Sequence, residues 1–219
     1  MSLAVSDQGI LYRLKNSNII QAWLVLVLAI CFGATLASVH LKLAPVIEEN
    51  KLNETLAQVP ELVLGKDLAE KMASENQGLE ITSKNLIVDK NGRKIFFNVY
   101  EARYQKELKG YVVKTGGQGY ADRIELLLGL DSNLNTITGL FVLEQKETPG
   151  LGNKVIEPTW RKQFIGKKTS PALKVTKSGA TNANDIDAVT GATISSRAVT
   201  DIVNSAINAV KEPLTKGAK

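Results

Sequence analysis

Apolar residues fall along this chain in three successive patterns. From Ile19 to Val39 no charge interrupts the run. As a helix that stretch reaches about 30 Å, the thickness of a bilayer core, and Trp23 suits an interfacial anchor. A cleaved signal peptide is the competing reading, with Ala34 to Ser38 as a faint small-residue site, but its apolar region would be shorter, about 7–15 residues. From Pro45 to about Ala73 the spacing turns helical, through Val46, Ile47, Leu52, Leu56 and Val59, and Pro60 is expected to break the run. This segment reads equally as a stalk or as a helix packed on a sheet.

Short β-like runs follow. Leu86 to Lys90 and Lys94 to Tyr100 flank Asn91-Gly92, a strong hairpin signal. Lys109 to Lys114, Arg123 to Leu130 and Asn135 to Glu144 add three strands, with Asp131 to Asn135 joining the last two. Pro158 opens a short helix that places Trp160 and Phe164 on one face, and Ala172 to Thr176 reads as a strand. After Thr193 the helical period returns strongly, with Ile194, Ala198, Ile202, Ala206 and Val210 on one stripe, widened by Val199, Val203 and Ile207. The expected fold class is α+β: a single N-terminal transmembrane helix, then a mainly antiparallel sheet with packed helices. The boundaries read as a cytoplasmic segment 1–18, a transmembrane helix 19–39, a helical stalk 40–80, a domain 81–212 and a tail 213–219.

Composition narrows the function classes. The chain has 219 residues, a formal charge of +5 and 5% aromatic residues. Its charges are interspersed, so no basic patch with stacking residues favours nucleic acid. The single cysteine, Cys31, lies in the apolar run, and no metal-ligand spacing or disulfide framework appears. His40, the only histidine, sits where the chain leaves the apolar run and reads as an interfacial residue. Arg13 and Lys15 precede the span with no nearby acid, while Lys42 and Lys51 follow it; the positive-inside rule then places the N-terminus in the cytoplasm.

The candidate chemistry lies in two loops. Asp187-Ala-Val-Thr190-Gly191-Ala192-Thr193 runs directly into the last amphipathic helix. A helix start carries unpaired N–H groups and the positive end of the dipole, so it suits a phosphate. By itself this is also an ordinary capped loop. Upstream, Glu147-Thr148-Pro149-Gly150-Leu151-Gly152 reverses the chain at Pro149-Gly150. Gly116-Gly117-Gln118-Gly119-Tyr120 reads as a flexible turn, or as a place where backbone approaches a ligand or partner.

The first loop resembles the attachment motif of the covalent FMN-binding domain, Asp-x-x-Ser/Thr-Gly-Ala-Thr, and the second resembles the Glu-Thr-Pro-Gly-Leu-Gly loop upstream of it. Both occur in membrane electron-transfer flavoproteins: the G subunit of the Rnf complex and the C subunit of the sodium-translocating NADH:quinone reductase. The resemblance implies that Thr193 takes the FMN phosphate as an ester, and that Glu147 to Gly152 forms part of the flavin pocket. It also implies a separate flavin transferase, partner subunits in the bilayer and a main domain outside the cytoplasmic membrane. The compact chain fits the G subunit better than its quinone-reductase relative; an anchored module without catalysis is the alternative of another class. Ser178-Gly-Ala-Thr181 is a second match to the tetrapeptide, but Val175 stands where the motif needs aspartate and no amphipathic helix begins at Thr181. Asp187 is read as ordering its loop, because a carboxylate of ordinary pKa, about 3.9, is a poor base for a hydroxyl.

Overall fold

A computed structural model describes residues 17–217, except 76, 91, 92 and 178. The expected Asn91-Gly92 turn, the Arg13 and Lys15 pair and Ser178 therefore lie outside the described residues. The chain divides into two units, Met1–Leu52 and Asn53–Lys219.

The first unit consists, where described, of the greater part of helix α1 (Asn18–Leu64). Among the described residues α1 is the one helix long and apolar enough to cross a membrane. Its apolar side chains are exposed, among them Trp23, Phe32 and Leu36. Thr35 and Ser38 return their hydroxyls to the carbonyls four residues back, at 2.8 and 2.7 Å, which satisfies both groups inside an apolar helix.

The second unit holds the last turns of α1, then α2 (Lys66–Ser74), five strands and the remaining helices. Pro60 does not break α1; the helix ends at Gly65, whose φ of +82° suits glycine. Beyond Pro60 the helix is held by burial of Leu62 and Val63 and by a hydrogen bond from Thr138 Oγ1 to the Leu62 carbonyl, 2.6 Å.

Strands β1 (Glu80–Lys90), β2 (Arg93–Tyr104), β3 (Glu107–Gln118), β4 (Arg123–Asp131) and β5 (Ile137–Glu144) form one antiparallel sheet in sequential order. The expected α+β architecture is therefore observed. One face carries Val59, Leu62, Tyr100, Val112 and Leu127; the other carries Val99, Val113, Leu126 and Leu128 against the last helix, α4 (Thr193–Gly217). Helix α4 buries Val199, Val203, Ala206 and Val210, the stripe its period foretold. Two departures occur there. Ile194 is exposed at the start of the helix, and Pro213 lies inside it, so the helix passes residue 212.

Residues 116–118 are strand, not a flexible turn. A Cβ at Gly117 would come within 2.7 Å of Ile202 Cγ1 on α4. Glycine there lets strand and helix approach closely. Between β5 and α4 run a 3-10 turn (Gly152–Ile156), α3 (Pro158–Arg161), a second 3-10 turn (Lys162–Phe164) and the short parallel pair β6 (Lys174–Thr176) and β7 (Asp185–Asp187). The parallel pairing has no counterpart in the sequence expectations. Trp160 and Phe164 are buried, with rings 5.2 Å apart, edge to face.

Candidate functional site

The segment from Asp187 to Ser196 enters α4 through a set of local bonds. Trp160 Nε1 donates to the Asp187 carbonyl at 2.7 Å, and the Asp187 N–H donates to Gln163 Oε1 at 2.8 Å. The Asp187 carboxylate accepts from Thr176 Oγ1 at 3.1 Å. It ties the loop to β6, which is the ordering role read from the sequence. The Val189 N–H donates to Ser196 Oγ at 3.0 Å, and the Ala192 N–H to the Val189 carbonyl at 2.9 Å. Gly191 closes this turn at φ +79°, a conformation costly for other residues.

The first backbone bond of α4 runs from the Ser196 N–H to the Ala192 carbonyl, 3.0 Å. Thr193, Ile194 and Ser195 thus present N–H groups ahead of the helical ladder. Thr193 is the first residue of the helix and is half-buried.

The Glu147–Gly152 loop meets this helix start. Thr148, Leu151, Gly152, Gly191, Ala192, Thr193, Ile194 and Ser195, with Tyr120 from the β3–β4 turn, line a cleft of about 470 Å³. That volume lies within the usual range of ligand sites, about 300–1,000 Å³. The lining combines apolar and small residues with the donors of the helix start, as a planar apolar ring bearing a phosphate requires. The two sequence motifs therefore converge in space, although they lie well apart along the chain.

Not every expected residue lines the cleft. Asp187, Thr190, Glu147, Pro149 and Gly150 do not. Glu147 is turned inward and is 4% exposed. Its Oε1 accepts the N–H groups of Tyr120 and Ala121 at 2.9 and 3.1 Å, and its Oε2 accepts Ser195 Oγ at 2.6 Å. It joins three segments and does not face the cavity. Pro149 and Gly150 shape the turn: the Thr148 carbonyl accepts from Leu151 and Asn153, both at 3.2 Å. Tyr120, from the stretch read alternatively as an approach to a ligand, lines the cleft, as do Ile194 and Ser195, which neither motif reading placed there. The Gly119-Tyr120 turn signal points at the first of them, but no local pattern names its neighbours in space.

Thr181 stands in a different setting. It is exposed, and its N–H and hydroxyl both lie 3.3 Å from Asp185 Oδ2 as donors. The Asn182 N–H donates to the same oxygen at 2.9 Å and Nδ2 at 2.8 Å. These donors, the Asn182 N–H first, hold the Asp185 carboxyl below its usual pKa. Thr181 therefore serves a carboxylate-centred turn and does not begin a helix.

Residues 119–208 match the model of the FMN-binding domain. Every residue that lines the cleft falls within the matched segment. Relatives agree. The G subunit of the Na⁺-translocating ferredoxin:NAD⁺ oxidoreductase complex of Acetobacterium woodii is 43% identical over 112 residues, 50% of this chain and 53% of that one. The G subunit of an ion-translocating oxidoreductase complex of Methanosarcina acetivorans is 36% identical over 56% of this chain and 63% of that one. The C subunit of the Na⁺-translocating NADH-quinone reductase of Vibrio alginolyticus is 31% identical over 61% of this chain and 55% of that one. The chain thus spans between about half and two thirds of these relatives' lengths. The crystal structure of Shewanella oneidensis NqrC has the same fold, with a TM-score of 0.62 at 20% identity, over 77% of this chain and 99% of that one.

Proposed function

We propose that this chain is the membrane-anchored flavoprotein subunit of a Rnf-type ferredoxin:NAD⁺ oxidoreductase, holding FMN as a phosphoester on Thr193. The observation that carries it is the convergence of Thr148, Leu151 and Gly152 with Gly191 to Thr193 around one cleft at a helix start. The 43% identity to one G subunit, against 36% and 31% for two C subunits of the quinone reductase, favours the Rnf-type complex.

When bound, FMN supplies the redox chemistry, taking up electrons and passing them on. This chain's residues supply place and field. Thr193 Oγ1 would hold the phosphate, and the N–H groups at the start of α4 would favour its charge, by about 0.3–1 kcal/mol when exposed. Thr148 offers a hydroxyl at the cleft, while Leu151 and Ile194 offer apolar surface to the ring. A flavin transferase makes the ester, and α1 anchors the chain in the cytoplasmic membrane with the domain on the outer side. Partner subunits in the bilayer deliver and collect the electrons, coupled to movement of Na⁺ or H⁺.

The test is flavin fluorescence on a denaturing gel after co-expression with a flavin transferase. Thr193→Ala abolishes the signal and Thr181→Ala keeps it. The reverse pattern overturns the assignment.

A further inference from the structure

The cleft has one aromatic wall, Tyr120, which neither sequence motif contains. The residue is 62% exposed, so packing does not explain it. Its main chain, by contrast, is fixed. The Gly119 N–H closes a turn onto the Asp122 carbonyl at 2.8 Å, and the N–H groups of Tyr120 and Ala121 are both held by the buried Glu147 carboxylate. The second oxygen of that carboxylate takes the Ser195 hydroxyl, two residues beyond Thr193. One buried group therefore references both the aromatic wall and the helix start to each other.

A large aromatic ring kept in solvent on a fixed backbone, beside a cleft with apolar lining, gains by covering a planar ligand. We infer that the Tyr120 ring lies against the isoalloxazine, and that Glu147 is the positioning residue that holds it there through the main chain. The inference rests on the reading of the cleft as the flavin site.

A tyrosine in contact with an excited flavin donates an electron to it and receives the electron back, which quenches the emission. Phenylalanine is much harder to oxidise and does not quench in this way. The experiment measures the fluorescence lifetime of the flavin in the full-length flavinylated protein. Tyr120→Phe should lengthen the lifetime several-fold with the flavin content unchanged. Glu147→Gln keeps an oxygen for the two amides and should retain the short lifetime; Glu147→Leu should lengthen it. Amide hydrogen exchange of the parent protein gives a second reading should Glu147→Leu fail to accumulate: the Tyr120 and Ala121 amides should be protected. An unchanged lifetime in Tyr120→Phe, with flavin present, overturns the contact. Unprotected Tyr120 and Ala121 amides overturn the positioning role. Flavin that persists in Thr193→Ala sinks the site reading itself, an outcome distinct from either.

Discussion

Gly152→Ala puts the junction of the two motifs under direct load. A Cβ at this position would lie 2.7 Å from Ser195 Oγ, 2.8 Å from Glu147 Oε2 and 3.0 Å from Glu147 Cβ. These neighbours have little room to retreat, because Ser195 and Glu147 are buried and bonded to each other at 2.6 Å. Overpacking of this kind costs about 1–3 kcal/mol. If Ser195 gives way instead, the loss of a hydrogen bond to a charged group costs about 1.5–3 kcal/mol. The two routes are alternatives and the cheaper one is taken, so the net destabilisation should be about 1–3 kcal/mol. At about 2–4 °C per kcal/mol for a domain of this size, Tm falls by roughly 2–12 °C. Circular dichroism melts of the detergent-solubilised protein measure it. Ser195→Ala removes the nearest obstructing atom, so the double variant should lose less than the sum of the single ones. Gly150→Ala is the control: its φ of +76° strains any side chain, but nothing lies within 4 Å, so its cost should add to that of Ser195→Ala. An unchanged Tm in Gly152→Ala, or strict additivity with Ser195→Ala, would refute the reasoning.

Glu101 gives a pH signature. Burial pushes its pKa up, but Lys84 at 2.6 Å and Arg103 at 3.2 Å outweigh that and hold it below the usual range. Its folded pKa is depressed, so its contribution is complete above the unfolded value of about 4.3 and is lost as pH falls through the folded value. Glu101→Gln should thus destabilise at neutral pH, and the gap to the parent in urea melts should close in acid; a gap independent of pH contradicts the pairing. Thr148→Ala should shift the absorbance or potential of the flavin while leaving it attached, and no change in either would reduce the loop to a turn. Protease added to intact spheroplasts should digest the portion after Val39; its protection would reverse the topology.

The readable parts of this fold are those whose signal is local. The period of α4 reflects burial against a single sheet face, and Val199, Val203 and Val210 obey it. Four of the β-runs lengthen at their ends, but their order and antiparallel pairing follow from short turns. What escaped depends on distant neighbours. Pro60 was expected to end α1, because proline removes a donor and crowds the preceding turn. The sheet compensates by burying Val59, Leu62 and Val63, which selects the sheet-packed reading over the stalk and carries the helix past the proline. The Gly116–Gln118 stretch looks flexible until Ile202 is placed against Gly117. At the site, Glu147 carries a motif position without facing the cleft, since its partners lie 27, 26 and 48 residues away. Ile194 follows the apolar stripe in sequence, yet the helix begins before the core covers it, which leaves it at the cleft.

The most direct test of the central claim is the mass of the attachment peptide from the flavinylated protein. Trypsin is a poor choice, because Thr181 and Thr193 share the peptide that follows Lys177 and ends at Arg197. Cleavage before aspartate separates them: Thr181 stays upstream of Asp185, and Thr193 falls in the fragment that begins at Asp187. The account predicts the added mass of FMN, less water, on that second fragment, with fragment ions assigning it to Thr193 and not to Thr190. FMN mass on the fragment that holds Thr181, or on Thr190, would contradict it.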